Sequence, residues 1–76
     1  MKSLYAFSVM AAKQKHDGMS TDVNSRALAG VAENEQEAKS IALEYCYKTY
    51  PYSEGYHSHA VSVFFIPDVL IEMAGR

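Results

Sequence analysis

Little in this chain of 76 residues points to chemistry, and what is missing narrows the function more than what is present. Cys46 is the one cysteine, so no disulfide can form within the chain, and the expectation is a reducing, cytoplasmic setting. The four glycines, Gly18, Gly30, Gly55 and Gly75, are scattered and build no phosphate-binding loop. No apolar run approaches the roughly 18 residues of a membrane span. The opening Lys2 and LYAFSVMAA carry Tyr5 and Ser8 inside the apolar stretch, and we read them as part of the fold rather than as a signal peptide. Basic charge is not in excess: seven Lys and Arg stand against nine Asp and Glu, for a net charge of −2. That argues against a general nucleic-acid binder, which would show a basic face, and it falls short of the massed carboxylates of a DNA mimic.

What is present is the composition of one small globular domain covering residues 1–76. A core of this size gives a marginal stability of roughly 5 kcal/mol unless a partner adds buried surface. The stretch that organises it is ENEQEAKSIALEYCYKTYP, from Glu33 to Pro51. Asn34 is placed to cap a helix, and Glu37 three residues on can reach back to it. Glu33, Glu35 and Glu37 set negative charge at the positive end of the helix dipole. Pro51 ends the helix and drives Tyr50 out of the α region. Ala38, Ile41, Ala42, Tyr45, Cys46 and Thr49 recur on one helical face, with Ala38 and Ala42 small enough for a close approach to a sheet. Ser40, Glu44 and Lys48 look solvated, and Glu44 and Lys48 can pair at i,i+4.

Three strands surround that helix. Ser3 to Ala12 alternates, with Tyr5, Phe7, Val9 and Ala11 on one side and Leu4, Ala6 and Met10 on the other. Apolar on both sides, it belongs in the middle of a sheet. Lys13 to Asp22 is polar, holds the turn pair Asp17-Gly18, and reads as a long hairpin loop. Val23 to Ala32 is the second strand, with Ala27, Ala29 and Val31 expected under the helix, Arg26 and Leu28 facing away, and Gly30 marking a bulge. Tyr56 to Ile66 is the third strand, with His57, His59, Val61, Val63 and Phe65 sharing a face. A short helix is expected after Pro67, apolar at Val69, Leu70 and Met73. The directions give an α+β fold, ββαβα. It has a three-stranded antiparallel sheet of order 2-1-3, one long helix on one face and a short C-terminal helix. The other face then lacks a full cover, so Leu4, Met10, Leu28 and either Phe64 or Phe65 are expected to lie partly under another chain.

Candidate reactive groups do not assemble. His57-x-His59 is a spacing that can hold zinc or copper, yet no further His, Cys or Asp completes the three or four ligands such a site needs. Cys46 reads as a buried small apolar residue rather than a nucleophile. No catalytic residue, metal or cofactor is therefore assigned. The tyrosines say more, because Tyr45, Tyr47, Tyr50, Tyr52 and Tyr56 fall within twelve residues. Tyr45 belongs to the core, whereas the others crowd the helix C-terminus and the next turn. Tyrosine offers rigid apolar area plus a hydroxyl at low entropic cost, which suits a protein interface. The partner-binding residues expected on that basis are Leu43, Tyr47, Tyr50, Tyr52 and Tyr56 as anchors, with Glu44 and Glu54 at the rim. The competing reading is a satellite cluster whose rings cover one another. Base stacking on nucleic acid fits poorly, with Glu44 and Glu54 beside a lone Lys48.

The run VSVFFIPDVLIEM, after an alanine-bearing amphipathic helix, resembles the second half of small phage- and prophage-encoded accessory proteins. The exit Phe65-Ile66-Pro67 followed by Asp68 and Leu70 is similar to the ending of some small anti-CRISPR proteins, over residues 33 to 76. That resemblance implies a stoichiometric inhibitor that docks on a bacterial defence complex and does no chemistry. A looser similarity links the hairpin-then-helix order to strand–strand–helix antitoxins. Glu33, Glu35 and Glu37 stand where an RNA-binding version would carry Lys or Arg. The expectation is thus a non-enzymatic protein-binding module. The alternative is a homodimer joined through the open sheet face, an antitoxin-like or nucleic-acid-associated regulator.

Overall fold

The structure is a computed structural model and describes residues 2–14, 18 and 21–67. Strand β1 (Ser3–Gln14) lies between β2 (Thr21–Ala32) and β3 (Tyr56–Phe65) in an antiparallel sheet of order 2-1-3. Helix α1 (Glu35–Thr49) and a short 3-10 turn, η1 (Tyr52–Glu54), connect β2 to β3. This is the expected α+β arrangement, with the doubly apolar strand in the centre. The short helix expected after Pro67 lies outside the described residues. The hairpin arms are longer than the sequence suggests, since β1 runs on to Gln14 and β2 starts at Thr21. Lys13 and Asp22, expected in the loop, pair as strand residues, and Gln14 ties the turn by donating from Nε2 to the Gly18 carbonyl at 2.7 Å.

Asn34 caps α1 as its composition implies. Its extended backbone presents Oδ1 to the Glu37 amide at 2.8 Å, and the Glu33 amide donates to Glu37 Oε1 at 3.2 Å. Glu37 thus reaches back to the Glu33 amide rather than to the expected Asn34 amide, a capping box displaced by one residue. At the other end the Tyr50 amide closes on the Cys46 carbonyl at 2.8 Å. The surface pairs Glu35–Lys39 and Glu44–Lys48 are exposed and contribute little beyond solubility.

The helix seals one side of the sheet. Ala38, Ala42 and Cys46 are fully buried against Tyr5, Phe7, Val9 and Ala11, with Leu28, Tyr45, Val61 and Val63 packed around them. Directly opposed residues of an antiparallel pair share a side of the sheet. Phe7 is opposite both Leu28 and Val63, and Val9 is opposite both Arg26 and Val61.

That register reverses the expected faces of β2. Leu28 and Arg26 stand on the helix side, and Ala27, Ala29 and Val31 lie on the open side. Leu28 is therefore core packing, not surface awaiting a second chain. The small residues at the close approach are Ala38, Ala42 and Cys46 of the helix, with Ala11 and Ala32 on the sheet. Gly30 is not a bulge either, because β1 and β2 pair without interruption from Ser3–Ala32 to Gln14–Thr21. Its missing side chain makes room for Phe7, whose ring edge would lie 2.8 Å from a Cβ at that position. The irregularity falls in β3 instead. Ser58 opposes Ala12 but Tyr56 opposes Lys13, which leaves His57 as an extra residue.

Removing the cap tests this account of the helix. Asn34→Ala should cost about 1 kcal/mol, and for a domain of this size that lowers the melting temperature by about 4–8 °C. Thermal unfolding followed by circular dichroism checks it.

Candidate functional site

The aromatic corner is built where the end of α1, the turn η1 and the start of β3 meet. The β3 bulge decides which rings go inside. By absorbing one residue at His57 it turns Tyr56 toward the helix side, where Tyr56 is 8% exposed and packs on Tyr50 at 5.1 Å between ring centroids. Tyr50, the residue that caps α1, is 7% exposed. The Tyr56 hydroxyl accepts from Asn24 Nδ2 at 3.1 Å, and the Lys13 ammonium sits 4.8 Å from its ring centroid. Tyr50 and Tyr56, expected as exposed anchors, are thus part of the core. The expectation failed because helical phase was extended one residue past the helix, and because simple alternation was assumed across a bulge.

Tyr47 and Tyr52 remain outside, 41% and 64% exposed, and stack on each other at 5.8 Å with 25° between their planes. His59 wedges against both, its ring centroid 4.5 Å from Tyr47 and 5.0 Å from Tyr52. Its Nε2–H donates to the Tyr50 carbonyl, so the ring is pinned to the backbone at the helix end. The buried Nδ1 has no hydrogen-bond partner among the described residues. Tyr52 is fixed by its turn: the Gly55 amide closes on the Tyr52 carbonyl at 2.9 Å, and Gly55 takes the left-handed φ of 94° that this closure requires. The Tyr47 hydroxyl is raised above its ordinary pKa by the Tyr52 hydroxyl beside it.

Leu43 is exposed one helical turn before Tyr47 and extends the same surface. Glu44, paired with Lys48 at 3.2 Å, and Glu54 are exposed. Of the seven expected residues, five are therefore exposed, and two, Tyr50 and Tyr56, are buried in the core. His59 is the residue the sequence reading missed. The His57-x-His59 spacing suggests a metal ligand, whereas the alternation of His59 with Val61 and Val63 places it on the helix side. His57, the bulge residue, is exposed and bonded to Ser58 Oγ at 3.2 Å. Among the described residues no group of three or more His, Cys, Asp or Glu could hold a metal ion.

A second feature lies along β2. The helix packs more on β3 and β1 than on β2. A groove of about 330 Å³ is left between α1 and that edge, walled by Phe7, Leu28, Gly30, Ile41, Ala42 and Tyr45. Near it Arg26 donates from Nη1 to the Tyr45 hydroxyl at 3.0 Å, which holds that hydroxyl below its ordinary pKa and raises that of the guanidinium. Cys46 is fully buried, its thiol raised by burial, with Sγ 3.5 Å from the Met10 carbonyl. No described helix is long and apolar enough to cross a membrane.

Comparison with protein-family models, curated proteins and solved structures yields no match. Function must therefore be argued from the surfaces themselves.

Two outcomes follow for this corner. Tyr50→Ala should cost about 3–5 kcal/mol in denaturant unfolding, as buried aromatic truncations do, while Tyr52→Ala should cost no more than about 1 kcal/mol. Cys46 should resist a thiol reagent in the folded protein and react on unfolding. Because its folded pKa is raised, its contribution to stability is full below the unfolded thiol pKa and declines as pH rises above it. Reagent kinetics and alkaline unfolding curves measure both.

Proposed function

We propose that this chain is a non-enzymatic protein-binding module that docks through Tyr47 and Tyr52, flanked by Leu43 and rimmed by Glu44 and Glu54. The observation that carries the reading is the pair of exposed rings held in place by His59 and by the turn at Gly55. Exposed aromatic side chains usually lose rotamer freedom on binding, and a pair already stacked has less to lose. His59, pinned to the Tyr50 carbonyl, packs on both rings, so the surface is offered without rearrangement. The partner that suits it presents an apolar pocket for the two rings.

The finer proposal takes its partner class from the resemblance of residues 33–76. It makes the module a phage-encoded inhibitor that blocks a bacterial defence complex by stoichiometric occlusion. Occlusion needs a preformed docking surface, and the stacked Tyr47 and Tyr52 held by His59 supply one.

The double variant Tyr47→Ala with Tyr52→Ala tests the site. Capture from a bacterial lysate, followed by titration of the recovered protein, should show at least about a hundredfold weaker binding, as expected for loss of two interface anchors. Circular dichroism should stay near that of the parent. A captured protein that binds parent and double variant equally would remove this corner as the docking site.

A further inference from the structure

Among the described strand residues, none on the side of the sheet opposite α1 is charged. Lys13, Asp22 and Arg26, the charged residues within the described strands, all share the side of Val9 and the helix. On the open side Phe64 is 63% exposed, Met10 45%, Val23 57% and Val31 55%. Such a face, bare of both signs on its strands, leaves large apolar side chains in contact with water.

Its side chains are arranged with a pattern that the pairing register makes visible. Ala27, Ser8 and Ser62 lie abreast across the three strands, since Ser8 opposes both of the others. Two residues from this middle rank, β3 carries Phe64 on one side and Ala60 on the other. At the same spacing β1 carries Met10 opposite in direction to Ala6. One step further out, Leu4 on β1 answers Ala12, and Ile66 beyond β3 answers Ser58. In each of these four pairs a large apolar residue and a small one stand at equal distances on opposite sides of the middle rank. On β2 Ala29 and Ser25 are both small, and Val31 and Val23, at the sheet edge, are both large.

We infer that this face is the contact between two copies of the chain, related by a two-fold axis that runs across the strands through Ser8, Ala27 and Ser62. Such an axis turns each strand onto its own copy and exchanges the two sides of the middle rank. Phe64 then meets the partner's Ala60, and Met10 meets the partner's Ala6. Leu4 meets the partner's Ala12, and Ile66 meets the partner's Ser58. An axis along the strands would instead set Met10 on Met10 and Leu4 on Leu4. The middle rank, all alanine and serine, allows the sheets to approach where the axis passes. A hollow of about 100 Å³ bordered by Met10, Ala12, Ser58 and Ala60 lies where the partner's Phe64 and Leu4 arrive.

The dimensions agree. Three strands about 4.8 Å apart with ten to twelve residues at about 3.4 Å make a face of about 500 Å² in projection. Corrugated by Phe64 and Met10, its accessible area approaches the roughly 800 Å² per partner of a standard interface. The partner is a second copy rather than a charged surface because an uncharged face meets itself without repulsion, and because an isologous contact requires the self-complementary pattern described. This surface lies on the opposite layer from Tyr47 and Tyr52, so the two proposals stand or fall separately.

Sedimentation equilibrium from micromolar to millimolar concentration tests the inference on the full chain. The parent should pass from monomer to dimer. Ser62→Glu places two carboxylates at the axis and should weaken association at least about tenfold. Ala60→Phe alone sets two large rings against each other and should weaken it similarly, while Ala60→Phe combined with Phe64→Ala exchanges large and small and should restore it. All three residues are exposed in a single copy, so circular dichroism should be unchanged throughout. A parent that stays monomeric at every concentration, whether residues 68–76 or an unlike protein covers the face, overturns the inference. So does a Ser62→Glu dimer as tight as the parent, or an exchanged variant no tighter than Ala60→Phe.

Discussion

The close seat of α1 on the centre of the sheet governs the rest of the structure. Ala38, Ala42 and Cys46 present almost no side chain, and the helix comes down until the Cys46 sulfur lies 3.5 Å from the Met10 carbonyl of β1. The thiol is a weak donor, and the distance matters more than the bond. A helix this near the strands needs large residues only from the sheet, and Tyr5, Phe7 and Val9 supply them. With one helix spent on one side, a chain this short has nothing of similar size among the described residues for the other. An enclosed layer and a bare layer are thus two results of the same packing.

Much of that architecture was legible beforehand, because the signals were strong and local. The cap at Asn34, the stop at Pro51, the helical seam of small residues and the central strand apolar on both sides all agree with the structure. The strand directions, with the two apolar faces of β1, then put it in the middle. What escaped was parity. A strand's two faces are told apart only by its register with a neighbour, and β2 carries apolar residues at both parities, so Ala27, Ala29 and Val31 were assigned to the wrong side. Gly30 looked like an irregularity because glycine weakens strands, whereas its use here is spatial, to admit the Phe7 ring. The real irregularity, at His57, carries no glycine or proline to announce it.

The aromatic corner was legible as a place but not as an arrangement. Five tyrosines within twelve residues marked it, and Leu43, Tyr47 and Tyr52 do lie at its surface with Glu44 and Glu54. Tyr50 and Tyr56 went inside because helix end and strand start both depart from ideal phase there. A sequence pattern reports average periodicity, and this corner is made of the two exceptions. His59 keeps the regular alternation with Val61 and Val63, whereas the bulge takes His57 out of that register, so the two imidazoles suggested by their spacing are not set together as a metal site.

The placement of two sticky surfaces on opposite layers has a consequence of its own. Neither blocks access to the other, so self-association would leave both tyrosine corners free and pointing outward. A pair docking as proposed would be bivalent, bridging two targets or gripping two sites on one. If the sites on a single target lie within its span, binding strengthens through effective concentration without any additional contact. For a domain of 76 residues, doubling in this way extends reach beyond what its own core could support.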